Sequence, residues 1–429
     1  MSLTRLQLRQ KLSSEIGDRF DETTTSAGAA DGSTLVCSAL KSYPDDYFND
    51  WWVIPTLGTY KGVTKRISDF TQASGTVTVY AAWAGQILTD LTFELHRQDP
   101  TLLNNYINSA IENAYPFFYD EVIDDNLITG NILPNSNFEV WTAATNPDKW
   151  TKTANLTLTA ETTTKWFGAK SCKAVAAAAA QYMYTDQSQY PHLLDLEGHS
   201  INIYVHAQPT IASATSARIQ IVTVDEDGTS TTTNSSYHTG AARREILYIE
   251  SLAIPDDLRS IAIQLTVGNG DTVYFDNAYI EVEGEVIYLL PTTFDAVARV
   301  IIGNDPDELK FIEDEEWQWW QTFNDGTDTF LELLKSPADL IPSYGYKMRL
   351  MGRNRFTAPS ADTSTVDLTT ERGNVIAIGA AALHFNNLLG GCAPQDVTRY
   401  TNEYNRRQFQ FEQGKARFRM STTGRKNIG

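Results

Sequence analysis

Cysteine is scarce: Cys37, Cys172 and Cys392 are the only three in 429 residues, they lie far apart, and no CxxC occurs. An odd, dispersed set argues against a disulfide framework and against a thiolate zinc site, and it fits synthesis in a reducing place. Histidine is sparse too. His96, His192, His199, His206, His238 and His384 form neither HExxH nor His-x-His, and the chain lacks GxSxG, a P-loop and GxGxxG. No familiar hydrolytic, metallopeptidase or nucleotide-binding signature is therefore present. Long apolar runs are missing as well: "VIAIGAAAL" at 375–383 is far short of a bilayer span, and no apolar stretch follows a basic start. The expectation is a soluble chain without a cleaved secretory signal and without a membrane partner. Positive charge is in short supply, with 34 Lys and Arg against 53 Asp and Glu and a net charge of -19. That balance opposes general nucleic-acid binding and suits a surface that DNA passes without sticking.

What is present begins with helix signals. Leu8, Leu12 and Ile16 recur at four-residue steps in "SLTRLQLRQKLSSEIGDRF", giving one apolar helical face. In "HRQDPTLLNNYINSAIENAYPFFYD", Asp99 is a natural N-cap and Pro100 a first helical residue. Leu103, Ile107, Ala110, Ala114 and Phe118 share a face, and Pro116 should kink or end the helix near Tyr115. Near the C-terminus, "VDLTTERGNVIAIGAAALHFNNLLGG" reads as a small-residue helix ended by Gly390 and Gly391, and "PQDVTRYTNEYNRRQFQFEQGKARFRM" as one more.

Strand signals lie between. Residues 34–83 turn aromatic and β-branched, a small β-module in which Trp51 and Trp52 read as packing residues. After Gly130, "HSINIYVHAQ", "ARIQIVTVD", "ILYIESLAI", "SIAIQLTV" and "TVYFDNAYIEVEG" alternate with period two, which implies a sandwich. The alanines at 176–180 read as a strand end and loop, and "DEDGTST" as an Asp-Gly hairpin turn, since the remaining ligands of a calcium loop are missing. Beyond 285 the patterning is read as mixed α/β.

Charge is unevenly placed. Residues 397–429 hold eight Lys or Arg against Glu403 and Glu412, whereas seven carboxylates crowd 305–316. Adjacent acids of this kind mostly point to water in different directions, so a catalytic role for "EDEE" is the weaker reading beside a solvated or lumen-facing one.

Two resemblances organise these signals. "ILPNSNFEVWTAATNPDKWT", "FGAKSCKAV", "LEGHSINIYVHAQ" and "VYFDNAYIEVEG", in that order over 131–285, resemble carbohydrate-binding modules with a galactose-binding-like jelly roll. The resemblance implies a structural calcium held by Glu139 in the opening phrase and Asp276 in the last strand. It also implies an aromatic sugar platform, for which Trp141, Trp150, Trp166, Tyr182 and Tyr184 are candidates.

The flanks are similar to something else. "TDLTFELHRQDPTLLNNYINSAIENAYPFFYD", "YLLPTTFDAVARV", "GYKMRLMG" and the final helices with their basic tail resemble tailed-phage head-to-tail connector proteins, also called adaptors or head-completion proteins.

Together the resemblances imply an α+β chain: a mainly helical adaptor core with a small β-module, interrupted by an inserted antiparallel β-sandwich. The expected divisions are 1–130 and 286–396 for the core, 131–285 for the insert and 397–429 for the last helix end and basic tail. The connector resemblance implies a structural virion protein rather than an enzyme, a ring of twelve copies docked on the portal protein in the neck, made in the host cytoplasm. A further neck or tail protein would lie beyond it, and genomic DNA would pass through without specific binding. Arg406, Arg407, Lys415, Arg417, Arg419, Arg425 and Lys426 become portal-docking candidates, and 305–316 a candidate lumen segment. The alternative is a glycan-binding virion or secreted protein whose jelly roll is the main functional module, bound to a surface glycan.

Overall fold

In the computed structural model, described here for residues 2–210, 215–240, 242–282, 285–291, 294–303, 315–335 and 345–418 (backbone only at 315–316), the chain divides into two compact units. One joins Met1–Asp120 to Arg355–Gly429; the other is Glu121–Asn354.

The discontinuous unit contains helices α1 (Arg5–Ile16), α2 (Pro100–Ala114), α3 (Thr370–Leu389) and α4 (Val397–Arg417). Thr4 and Gln7 form a reciprocal capping box at the start of α1, satisfying two of its free amides. Asp99 accepts from the Thr101 amide and Pro100 opens α2, as the sequence predicts. The small residues of α3 have a packing purpose: a Cβ on Gly379 would stand 2.7 Å from the Phe411 ring, and one on Gly414 2.8 Å from Val375. Helices α3 and α4 therefore approach closely, around a core of Leu8, Leu12, Leu103, Ile107, Ile376 and Phe411. No described helix is long and apolar enough to cross a membrane.

The same unit holds a six-stranded sheet built from 20–23, 34–36, 52–55, 65–71, 76–79 and 92–96. Its core includes Phe48, Phe70 and Trp83, while Trp51 packs against that core and against Phe20.

Glu121–Asn354 is built on a sandwich whose ten strands are β1 (Thr151–Lys152), β2 (Leu156–Glu161), β3 (Ser171–Ala176), β4 (Gln181–Asp186), β5 (Ser200–Pro209), β6 (Ala217–Asp225), β7 (Ser230–Asn234), β8 (Glu245–Ala253), β9 (Leu258–Val267) and β10 (Thr272–Glu281). One sheet runs β2-β3-β10-β5-β8, the other β7-β6-β9-β4-β1, all antiparallel. Alternation dictates the layers: Ile201, Ile203, Val205 and Ala207 point inward from β5, and Ile261, Ile263, Leu265 and Val267 from β9, into one shared core. The turn after β6 is a hairpin, with Gly228 at φ +84° and Asp225 accepting from the Thr229 amide. The ends of this stretch meet: Asn131 pairs with Glu281, and its side chain accepts from the Ile280 amide at 3.0 Å.

The expected mainly helical core is not what forms. Among the described residues strand accounts for 38% and helix for 20%, in six antiparallel sheets. The six-stranded sheet is one reason, because strands as short as 34–36 and 52–55 carry too few residues for a period to outweigh the strong helix signals beside them. The second is the region after 285. Mixed α/β patterning was expected there, and the chain does return to helix at α3 and α4, but the described elements of 286–354 are all strands, including Ala296–Ile302, Trp320–Asn324, Thr329–Leu333 and Lys347–Asn354. Asp120–Ile128 joins the Ala296–Ile302 and Lys347–Asn354 sheet immediately after α2 ends at Ala114. Its alternating exposure, not a helical face, follows Pro116. Most of 305–316 lies outside the described residues.

Candidate functional site

The opening phrase of the sandwich folds as a clasp. Asn135, at φ +43°, accepts from the Val140 amide and donates to the carbonyls of Val140 and Asp148, while buried Phe138 meets Trp150 edge-to-face at 5.3 Å. This aims Glu139 at the loop before β3. Its Oε1 accepts from the amides of Ala169 at 2.6 Å and Lys170 at 2.9 Å. Asp276, on the last strand, takes the preceding amides of the same loop: Oδ2 accepts from Trp166 at 2.7 Å and Phe167 at 3.0 Å.

Two carboxylates from opposite ends of the sandwich sequence thus share one loop. Burial pushes the Asp276 carboxyl up to about 6 despite those amides, with Glu139 adding to the rise, and burial likewise raises Glu139. Asp276 Oδ1 is buried without a hydrogen-bond partner. Cross-strand from Asp276 stands His206, held down to about 4 by burial and by Arg244. No cluster of three or more His, Cys, Asp or Glu suited to a metal occurs among the described residues.

Gly168 makes the loop possible. Its φ is +62°, and a Cβ there would stand 1.9 Å from Glu139 Oε1. Gly168→Ala is expected to cost about 1–3 kcal/mol, measured by denaturant unfolding, because both the strained dihedral and the carboxylate contact must give.

The two outer faces of the sandwich differ in how their aromatic rings are disposed. On the β10-β5-β8 side, Tyr279, Tyr204 and Tyr248 form one cross-strand row. Tyr204 and Tyr279 stack at 4.9 Å with 23° between planes, so these rings cover each other's faces. On the β6-β9-β4 side, Tyr182 and Tyr184 leave the same face of β4, 5.6 Å apart and tilted by 59°. Neither covers the other face-on. Register places Thr266 beside Tyr182 with Arg218 on the strand beyond, and Gln264 beside Tyr184 with Gln220 on the strand beyond. Gln220 donates to Asn234 at 3.0 Å, and the Arg218 guanidinium lies 4.6 Å over the exposed Tyr237 ring. Half-buried rings, amides and hydroxyls therefore lie in adjoining rows on one face.

Of the five aromatic candidates from sequence, the structure brings together only Tyr182 and Tyr184. Trp150 is core; Trp141 packs on the core and donates to the Phe138 carbonyl; Trp166 lies in the carboxylate loop under Arg244. Arg218, Gln220, Gln264 and Thr266 had no motif. Their only signal was outward position in the period-two segments "ARIQIVTVD" and "SIAIQLTV".

The cations of the C-terminal helix are placed diversely. Arg407 is buried against Glu15, to whose carboxylate and carbonyl it donates. Lys415 is buried too, with Nζ 2.9 Å from Glu412 and 4.6 Å over the Phe411 ring. These two hold α4 in its own unit. Arg406 is exposed and pairs with Glu403, and Arg417 is exposed. Arg419, Arg425 and Lys426 lie outside the described residues.

No protein-family model and no curated protein matches this chain. Solved structures do. The C-terminal family 22 carbohydrate-binding module of Clostridium thermocellum Xyn10B is similar at 20% identity and a TM-score of 0.31, over 37% of this chain and 97% of that one. TmCBM61, solved with β-1,4-galactotriose, is similar at 13% identity and a TM-score of 0.26, over 36% and 99%. The enzymatically active domain of tailspike protein 4 from bacteriophage CBA120 is similar at 12% identity and a TM-score of 0.27, over 36% of this chain and 21% of that one. None of these similarities is to a head-to-tail connector.

Proposed function

We propose that the sandwich of Glu121–Asn354 is a non-catalytic glycan-binding module, and that its binding face is the outer surface of the β7-β6-β9-β4-β1 sheet. One observation carries this reading: Tyr182 and Tyr184 stand in register with Gln264, Gln220, Thr266 and Arg218. Sugars have apolar C–H faces and hydroxyl edges. Aromatic rings cover the former while amides and hydroxyls satisfy the latter, the division of labour expected of a small-ligand site. The opposite face offers rings that are already stacked on one another.

The test is retention of the full chain on a panel of immobilised polysaccharides, comparing Tyr182→Ala and Tyr184→Ala with Tyr248→Ala from the opposite face. Loss by the first two and retention by the third supports the assignment. Equal retention by all three would remove it.

A hard divalent cation such as calcium is a second proposal, placed at the carboxylate loop. Asp276 Oδ1 is a buried oxygen without a partner, and Glu139 reaches the same loop. Asp276 and Glu139 would hold the ion, which would supply charge neutralisation and tie the opening phrase to the last strand. Calcium at a hundredfold excess over its Kd should then add about 2.7 kcal/mol to stability. Thermal melting with calcium or EDTA should show that difference, and Asp276→Asn should abolish it.

A further inference from the structure

The structure supports a narrower statement about the ligand of the face just described, and it rests on that reading: we infer that the glycan is acidic, with a carboxylate such as that of a uronic acid seated on Arg218. The groups around Tyr182 and Tyr184 are otherwise neutral, namely Thr266, Gln264 and Gln220. Register sets Arg218 on β6, directly beside Thr266 of β9, which lies between it and Tyr182 of β4. Its guanidinium carbon lies 4.6 Å from the centroid of the Tyr237 ring, a cation–π contact that restrains the side chain.

Arg218 forms no ion pair among the described residues, and its Nε is buried without a hydrogen-bond acceptor. Asp186, the carboxylate at the far end of the same strand face, is already engaged by the Ser188 hydroxyl and the amides of Ser188 and Gln189. A guanidinium without a carboxylate partner, on the face that carries the rings and amides, is a receptor for a planar anion. A carboxylate matches the terminal nitrogens of a guanidinium in bidentate fashion, which a neutral sugar hydroxyl does not. The rest of the chain works against nonspecific attraction of a polyanion, because the net charge is -19. Binding of an acidic polymer must therefore come from a local cation.

The experiment is affinity electrophoresis of the full chain through gels containing polygalacturonate, a neutral β-galactan, or dextran sulfate. Wild type and the variants Arg218→Gln, Arg218→Lys and Tyr184→Ala are compared, with circular dichroism establishing that each is folded. The expected result is retardation by polygalacturonate that weakens at least about tenfold in Arg218→Gln, weakens less in Arg218→Lys, and falls as salt rises. Tyr184→Ala should lose retardation as well. Retardation by the galactan alone, or by polygalacturonate equally in wild type and Arg218→Gln, overturns the acidic ligand and leaves the glycan-binding face standing. Preference for dextran sulfate over polygalacturonate overturns the carboxylate. Absence of retardation in every gel overturns the inference together with the function it rests on.

Discussion

Replacing Arg9 by methionine is expected to destabilise the discontinuous unit by about 3–5 kcal/mol, because it removes the cation from a buried set of acids. Arg9 is fully buried on α1. Its Nη1 and Nη2 donate to the two oxygens of Asp362, each at 2.7 Å, and its Nε lies 3.2 Å from Glu94. Glu94 in turn meets His96 Nε2 at 3.1 Å, and His96 Nδ1 contacts the Asp18 carbonyl at 2.8 Å. Without the guanidinium, Asp362 keeps Arg5 and Glu94 keeps His96, but both buried carboxylates lose the cation they share. Converting Asp362 and Glu94 to neutral apolar residues in the same protein should recover much of the loss, since it is the unpaired charge that costs. Urea unfolding of the single and triple variants reads both quantities.

The same network gives the unit a defined pH window. Burial alone would raise Glu94, but His96 and Arg9 bring it below its ordinary 4.5. Asp362 is likewise held low by Arg9 and Arg5 against its burial. A depressed carboxyl contributes stability above its unfolded pKa and loses it as pH falls through the folded value. His96 has the opposite sign: burial lowers it, but Asp18 and Glu94 raise it above 6.5, so its contribution is complete below 6.5 and is lost as pH rises through the folded value. Melting temperature against pH should therefore peak between about 4.5 and 6.5, the ordinary values of the two groups. Arg9→Met should flatten the acid limb.

The second large effect concerns binding. Tyr182→Ala and Tyr184→Ala should each weaken glycan affinity by about 2 kcal/mol, close to thirtyfold, as aromatic anchors at the centre of a contact do. Together they should reduce binding below detection in most assays while leaving stability nearly unchanged. Both rings stand on the outer face, and the residues between and beside them, Gln181, Met183 and Thr185, carry the buried positions of the strand. Titration calorimetry with an oligosaccharide from the best-retained polymer, beside urea unfolding, separates the two outcomes.

Local order was legible in the sequence wherever a single element carried its own signal. Asp99 and Pro100 marked α2, Gly390 marked the end of α3, and period-two alternation gave the inward and outward residues of β5, β6 and β9. Pairing was harder. Nothing in "IQLTV" says that Gln264 will stand between Tyr184 and Gln220, because the neighbours of a strand are set by topology rather than by its own residues. Arg9 and Asp362 are 353 positions apart, and a charged residue on an apparently polar helix face reads as solvated until its partners are known. The expectation of a mainly helical core failed for a related reason: strong helix signals at α1 to α4 overshadowed short strands, and the acidic, tryptophan-rich stretch near 305–323 lacks a clear period of either kind.

The central claim is that the outer face around Tyr182 and Tyr184 binds glycan. Its most direct test is a glycan array probed with the full chain and with the Tyr182→Ala/Tyr184→Ala double variant. The account predicts a defined set of bound glycans for the wild type and none of them for the double variant. Binding that survives in the folded double variant, or a wild type that binds no glycan while it melts cooperatively, would contradict it.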